Sequence, residues 1–193
     1  MKILKSVCLL FLLCATAYGQ TENLGMGAFA NEHGEILVAV DASLVDFQIN
    51  SPYVMFVMYM AAKSQRQDIV VSRDTVVMVY QGTEYKMPSL KELREKYKGE
   101  IHDIDFYRHL GKEGIISSWI RFYNFAEGMD FFPALTLRRT SLAVDQGSMY
   151  GFTGFRTKAY FKNPGFKKGD KVTFKVWDKK NPKLSGAVAV VID

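Results

Sequence analysis

The ten residues YVMFVMYMAA, Tyr53 to Ala62, constrain the fold more than any other stretch of the chain. They are rich in aromatic residues and follow the turn-forming Asn50-Ser51-Pro52, which predicts a strand. Successive side chains of a strand point to opposite faces, so a run apolar at every position is apolar on both. A strand of an antiparallel sheet normally shows one polar face to water. Something must therefore cover both sides of this one. WIRFYNF, Trp119 to Phe125, is nearly as apolar and is expected to be a strand of the same sheet.

Other alternating segments lie between turn signals. GEILVAVDASL, VDFQI, DIVVSRDTVVMVY and TEYKM belong to the first half, and SSWIRFYNF, ALTLRRTSLAV, SMYGFTGFRTKAYF, KVTFKVW and GAVAVVI to the second. About ten strands are expected from this period-two pattern. The clearest is KVTFKVW, where Val172, Phe174 and Val176 alternate with Thr173, Lys175 and Trp177 between a Gly-Asp and an Asn-Pro turn. Many strands without alternating helices predict a mainly-β chain, an antiparallel β-sandwich. The turn-then-strand idiom KKGDKVTFKV, Lys167 to Val176, resembles immunoglobulin-like accessory modules of bacterial exported proteins. That resemblance implies an immunoglobulin-like or related sandwich, and no activity.

A helical insert, residues 88–111, interrupts the strands. Ser89 can cap a first helix with Glu92 reaching back, Leu90, Leu93 and Tyr97 share one stripe, and Gly99 can end it. Asp103 is expected to cap a second helix, made one-sided by Phe106 and Leu110 before Gly111. Two amphipathic helices need an apolar surface, and the doubly apolar strands need a cover. The insert is expected to lie over that sheet.

The N-terminus carries Lys2 and Lys5, then the apolar run SVCLLFLLCATA, then the small residues of AYG. This order predicts a signal peptide over residues 1–19, cleaved near Gly19-Gln20, with export to the periplasm or the exterior. The apolar run falls short of the ~20 residues of a membrane span, so the mature chain is expected to hold no transmembrane segment. Residues 20–34 read as a loose leader and residues 35–193 as a single domain. Cleavage would remove Cys8 and Cys14, leaving a cysteine-free mature chain with no thiol catalysis, cysteine–zinc or iron–sulfur site. A secreted chain without disulfides or Asn-x-Ser/Thr sites points to bacteria.

No motif for catalysis emerges. His102, Asp105 and His109 are spaced i, i+3 and i+7 on one helical face, but seven residues separate the imidazoles by ~10 Å along the axis. One ion with ~2 Å ligand bonds does not bridge them, so no metal is expected. DQGSMYG lacks the spacing of a nucleophile elbow. Neither catalytic residues nor a cofactor is assigned. Tyr150, Phe152, Phe155, Tyr160 and Phe161 suit a sandwich core better than a sugar-stacking platform with Trp119 or Trp177. Trp177 is the exception, because it opposes the apolar face of its own strand.

Charge is more informative. Ten basic residues lie between Arg156 and Lys183, against only Asp170 and Asp178. Lys167, Lys168, Lys171, Lys179, Lys180 and Lys183 are the candidate anion contacts, with Trp177 the candidate aromatic contact. They are expected to gather at one edge or end of the sandwich, either facing an anionic partner or guarding an edge strand against aggregation. The expected function is an exported, non-catalytic binding or scaffolding protein of the bacterial cell envelope. Its partner would be an envelope protein or anionic polymer, and export argues against nucleic acid. The alternatives are a carbohydrate-binding module and a hydrolase with a fold-assembled carboxylate pair, whose ~5–10 Å spacing only a fold can set.

Overall fold

The computed structural model describes residues 21–65, 68–110, 113–126, 129–133 and 143–193, with the backbone alone at 109, 113 and 114. The expected signal peptide and most of ALTLRRTSLAV lie outside the described residues. The chain is mainly β with antiparallel sheets and few helices. In chain order the strands are β1 (Glu22–Gly25), β2 (Ala28–Asn31), β3 (Ile36–Asp41), β4 (Tyr53–Ala62), β5 (Ile69–Ser72) and β6 (Val76–Tyr80). They continue as β7 (Thr83–Lys86), β8 (Asn124–Ala126), β9 (Gln146–Met149), β10 (Thr153–Lys162), β11 (Lys171–Trp177) and β12 (Ser185–Val191). The helices are α1 (Val45–Gln48), α2 (Leu90–Lys96), α3 (Glu100–Leu110) and α4 (Glu113–Trp119).

A six-stranded sheet runs β1-β2-β3-β4-β10-β8, a four-stranded sheet β12-β11-β6-β7, and β5 pairs with β9 alone. Neighbours are antiparallel except β8, which lies parallel to β10 and makes the large sheet mixed. The segment DIVVSRDTVVMVY is two strands. A 3-10 turn at Arg73–Thr75 breaks it, so that β5 and β6 join different sheets. Thr75 Oγ1 accepts the Ser72 N–H at 2.9 Å and donates to the Ser72 carbonyl at 3.1 Å, which satisfies that residue's backbone where the ladder stops.

Every residue of β4 is buried, and both of its faces find cover. On one, Phe56 and Phe161 of β10 meet Phe174 of β11, with ring centroids 4.7 and 5.7 Å apart. On the other lie the helices. Ser89 caps α2 by accepting the Glu92 N–H at 3.0 Å, Leu93 is 1 % exposed, and Tyr97 meets Tyr53 at 5.7 Å. From α3, Ile104 is buried and the Tyr107 hydroxyl donates to the buried Asp41 Oδ2 at 2.8 Å. Glu92 departs from the capping-box expectation: its Oε1 accepts from Tyr53 and Lys96 instead.

Other expectations are corrected. The helical insert does not stop at 111, because α4 follows it. SSWIRFYNF is not a strand: Trp119 ends α4, a turn follows, and only Asn124–Ala126 pairs. Ile116 and Ile120 are both buried and four residues apart, which is helical spacing. VDFQI is a single helical turn whose Val45 and Gln48 face inward three residues apart. Asp103 is not a cap; α3 starts at Glu100 and turns Asp103 into the protein.

The segment expected as a loose leader is ordered structure. β1 and β2 form a hairpin through Gly25, Met26 and Gly27, all at positive φ. Their neighbours close the free edge of β12. Glu35 N–H donates to the Ser185 carbonyl (2.9 Å), Asn31 Nδ2 to the Ala187 carbonyl (2.7 Å), and Ala189 N–H to Thr21 Oγ1 (3.0 Å). An edge strand left bare invites pairing with other chains, and this one is blunted by its own N-terminal segment. The approach is close enough to require glycine. A Cβ on Gly186 would lie 2.1 Å from the Ile36 carbonyl oxygen, and one on Gly34 2.2 Å from that of Ser185.

Candidate functional site

β11 presents the alternation its sequence predicts. Val172, Phe174 and Val176 are buried, while Thr173, Lys175 and Trp177 are only partly covered on the opposite face. Beside Trp177, the contact between the 31–34 turn and β12 leaves a cleft of about 270 Å³. Its lining combines Asn31, His33, Lys175, Trp177, Pro182 and Ser185 with the backbone at Gly34, Gly186 and Ala187. Drug-sized ligands usually occupy ~300–1,000 Å³, so this space suits a smaller group, about one sugar ring. The Asn31 side chain is fixed from both ends: its Oδ1 accepts the His33 N–H at 2.9 Å while Nδ2 holds Ala187. Among its lining residues Lys175 and His33 can carry positive charge, and none is acidic. Lys175 also faces Glu84, 3.5 Å away across β6.

The loop after Trp177 forms the rim and is held by one carboxylate. Asp178 is 3 % exposed. Its Oδ1 accepts the Val70 N–H (2.7 Å), and its Oδ2 those of Lys180 (3.0 Å) and Asn181 (2.7 Å). Burial alone would raise this carboxyl, yet the three backbone donors together hold it below the usual carboxylate range. A group so depressed stabilises the fold above its unfolded pKa of ~3.9, and loses that contribution as pH falls through the folded value. Asp178→Ala leaves three backbone donors without their acceptor. It is expected to cost roughly 2–4 kcal/mol at pH 7 and much less at pH 2–3, as read from urea unfolding at both pH values.

The lysines do not gather at one edge. Lys167, Lys168 and Lys171 stand at the start of β11, whereas Lys179, Lys180 and Lys183 stand beyond its end. At ~3.3 Å per residue the strand puts ~20 Å between the two groups. β11 itself is an interior strand, hydrogen-bonded to β6 and β12. The first group sits on a turn organised by Asp170, which accepts from the Lys167 N–H and the Tyr80 hydroxyl. None of the six lines the cleft; the second group lies in the loop that reaches it at Pro182, with Lys179 Nζ turned to Gln146 Oε1 at 3.4 Å.

The aromatic candidates divide by burial. Phe155, Tyr160 and Phe161 are in the core, whereas Tyr150 and Phe152 are exposed at the β9–β10 turn. Trp119 donates its indole N–H to Glu22 Oε2 at 3.1 Å. On α3, His102 stacks on Phe106 with rings 6.2 Å apart, and Asp105 faces Arg108 at 3.6 Å. The His109 side chain is outside the described residues. Among the described residues no group of three or more His, Cys, Asp or Glu side chains is placed to hold a metal ion.

A second polar cluster lies beneath the helices. Asp103 Oδ2 accepts from the Tyr97 hydroxyl (2.8 Å) and the Tyr160 hydroxyl (3.3 Å). Burial pushes the Asp103 carboxyl up, against the opposing pull of these hydroxyls. Gln48 is close enough to favour the ionised form as well, although its Nε2 makes no hydrogen bond among the described residues. Burial raises both tyrosine hydroxyls in turn, that of Tyr160 the further. A raised carboxyl and a nearby glutamate, Glu100, are ingredients of hydrolysis. The space that Glu100 lines with Leu90, Leu93 and Phe132 is about 10 Å³, room for about one water and not for a glycoside.

The sequence singled out Trp177 but missed Asn31, His33, Gly34 and the Ser185–Ala187 edge. The first three lie in the segment read as loose, and nothing local to them signals a partner more than 150 residues away. No family model, no curated protein and no solved structure matches the chain.

Proposed function

We propose that this chain is an exported, non-catalytic β-sandwich binding protein of the bacterial envelope, and that the cleft at Trp177 holds its ligand. One observation carries the reading: a partly exposed indole, a fixed amide, a lysine and a histidine converge on one concave surface. Ligand sites are concave and use a small number of placed polar groups to fix orientation, and Asn31, His33 and Lys175 are such groups here. The rim is preorganised by Asp178, so little loop ordering opposes binding. The sandwich of immunoglobulin-like kind that goes with this reading is supported by Phe56, Phe161 and Phe174 meeting between sheets. Export is supported by the order of basic, apolar and small residues at the N-terminus.

Cosedimentation of the exported chain with isolated envelope polysaccharide tests the proposal. Trp177→Ala is expected to weaken retention about tenfold, the scale of losing one well-placed aromatic contact and its burial. Its melting temperature should stay within a few degrees of the parent's, because Trp177 is outside the apolar face of β11. Equal retention by the two proteins would remove the cleft as the binding site.

A further inference from the structure

We infer that the Trp177 cleft takes a saccharide bearing a carboxylate, with the sugar ring on the indole and the acid on Lys175 and His33. The inference rests on reading the cleft as the ligand site, and adds the chemical class. The distribution of charge carries it. The cleft lining holds two side chains able to be cationic and none that is anionic. The loop beside it carries Lys180 and Lys183, while Lys179 turns its ammonium to Gln146 Oε1 on β9 (3.4 Å) and the one acid among them, Asp178, spends its lone pairs on three backbone N–H groups. Glu32 lies within the 31–34 turn and Glu35 follows it, yet neither lines the cleft.

Spacing fits the same class. Lys175 and Trp177 project from one face of β11 two residues apart, ~6–7 Å along the strand. A sugar ring stacked on the indole therefore brings a carboxylate on its edge toward the ammonium. Lys175 keeps Glu84 as a partner, but an ammonium has three donors and accommodates a second acid. A neutral sugar would use the ring and leave the charges idle. A compact anion such as phosphate would use the charges and leave the indole idle. A uronic-acid unit uses both, and Lys180 and Lys183 would meet the carboxylate of the next unit in the chain. The group of Lys167, Lys168 and Lys171, ~20 Å away at the start of β11, is the internal control.

The test titrates the full exported chain with an oligoglucuronate and with its carboxyl-reduced counterpart, at low and at physiological salt. Inorganic phosphate serves as a competitor. The acid is expected to bind at least tenfold tighter than the reduced form, with affinity falling as salt rises. Lys180→Gln with Lys183→Gln should weaken the acid several-fold and flatten the salt dependence. Lys167→Gln with Lys168→Gln should change neither. Trp177→Ala should weaken both saccharides. Equal binding of the two saccharides, both lost in Trp177→Ala, would overturn the carboxylate while leaving the cleft as ligand site. Competition by millimolar phosphate that persists in Trp177→Ala would replace the saccharide with a plain anion. Binding indifferent to Trp177→Ala, here and with envelope polysaccharide, would overturn the site itself.

Discussion

Leu93→Ala is expected to lower the stability of the whole chain by ~2–5 kcal/mol, as read from the urea midpoint at unchanged slope. Leu93 is 1 % exposed on the inner face of α2. It lines the small void shared with Ile104 and Phe132. Truncation removes its apolar burial and widens that void, and the cost of such a change grows with the cavity left behind. The helices cover the face of β4 and β10 that carries Tyr53 and Tyr160, so loosening them would expose apolar sheet surface to water. Leu90 and Tyr97 are only partly buried and should cost less when truncated. A Leu93→Ala protein that melts like the parent would mean that the helices contribute nothing to holding the sheet.

Asp103 is expected to give the pH profile its high-pH limb. Its folded-state pKa is raised, so the folded chain holds this proton more tightly than the unfolded one. Its contribution is fully present below the unfolded pKa of ~3.9, and is lost as pH rises through the folded value. Asp178 runs the other way, losing its contribution on the acid side. Asp103→Asn removes the titration while keeping an oxygen to accept from Tyr97 and Tyr160, so stability should flatten between pH 4 and neutrality. Asp103→Ala instead removes the acceptor that both hydroxyls share, leaving Tyr160 its 3.3 Å hydrogen bond to the Glu100 carbonyl. It is expected to cost ~2–4 kcal/mol at pH 5, at ~1–3 kcal/mol for each buried group left without its partner. Unfolding free energies for the parent and both variants across pH 4–8 decide the matter. A parent-minus-Asp103→Asn difference in stability that rises with pH through that range would contradict the sign.

Much of the local structure was legible in the chain. The alternation of Val172, Phe174 and Val176 against Thr173, Lys175 and Trp177 appears as drawn, because side-chain direction in a strand depends on position parity alone. The cap at Ser89 is likewise local, a hydroxyl and an N–H three residues apart. Tyr53 to Ala62 announced two apolar faces, and the helices and the four-stranded sheet supply the covers. The misread segments were those too short or too uniform for a period to register. Residues 22–31 hold two strands of four residues each. Trp119 to Phe125 is apolar without clear alternation, and only the four-residue spacing of Ile116 and Ile120 distinguished a helix.

The candidate site divides along the same line. The sequence by itself determined that Trp177 would stand outside the apolar face of its strand and that lysines would flank it. Only the tertiary structure decided that the flanking lysines split into two groups, with one in the loop that reaches a cleft at Pro182 and the other ~20 Å away. It alone decided that His33 and Asn31 would form the opposite wall, because the hydrogen bond from Asn31 to Ala187 spans 156 residues. Local patterns fix which way a side chain points, since that depends on its neighbours along the backbone. Which surface it then meets depends on strand pairing between distant segments, and a pairing leaves no mark in either segment read alone.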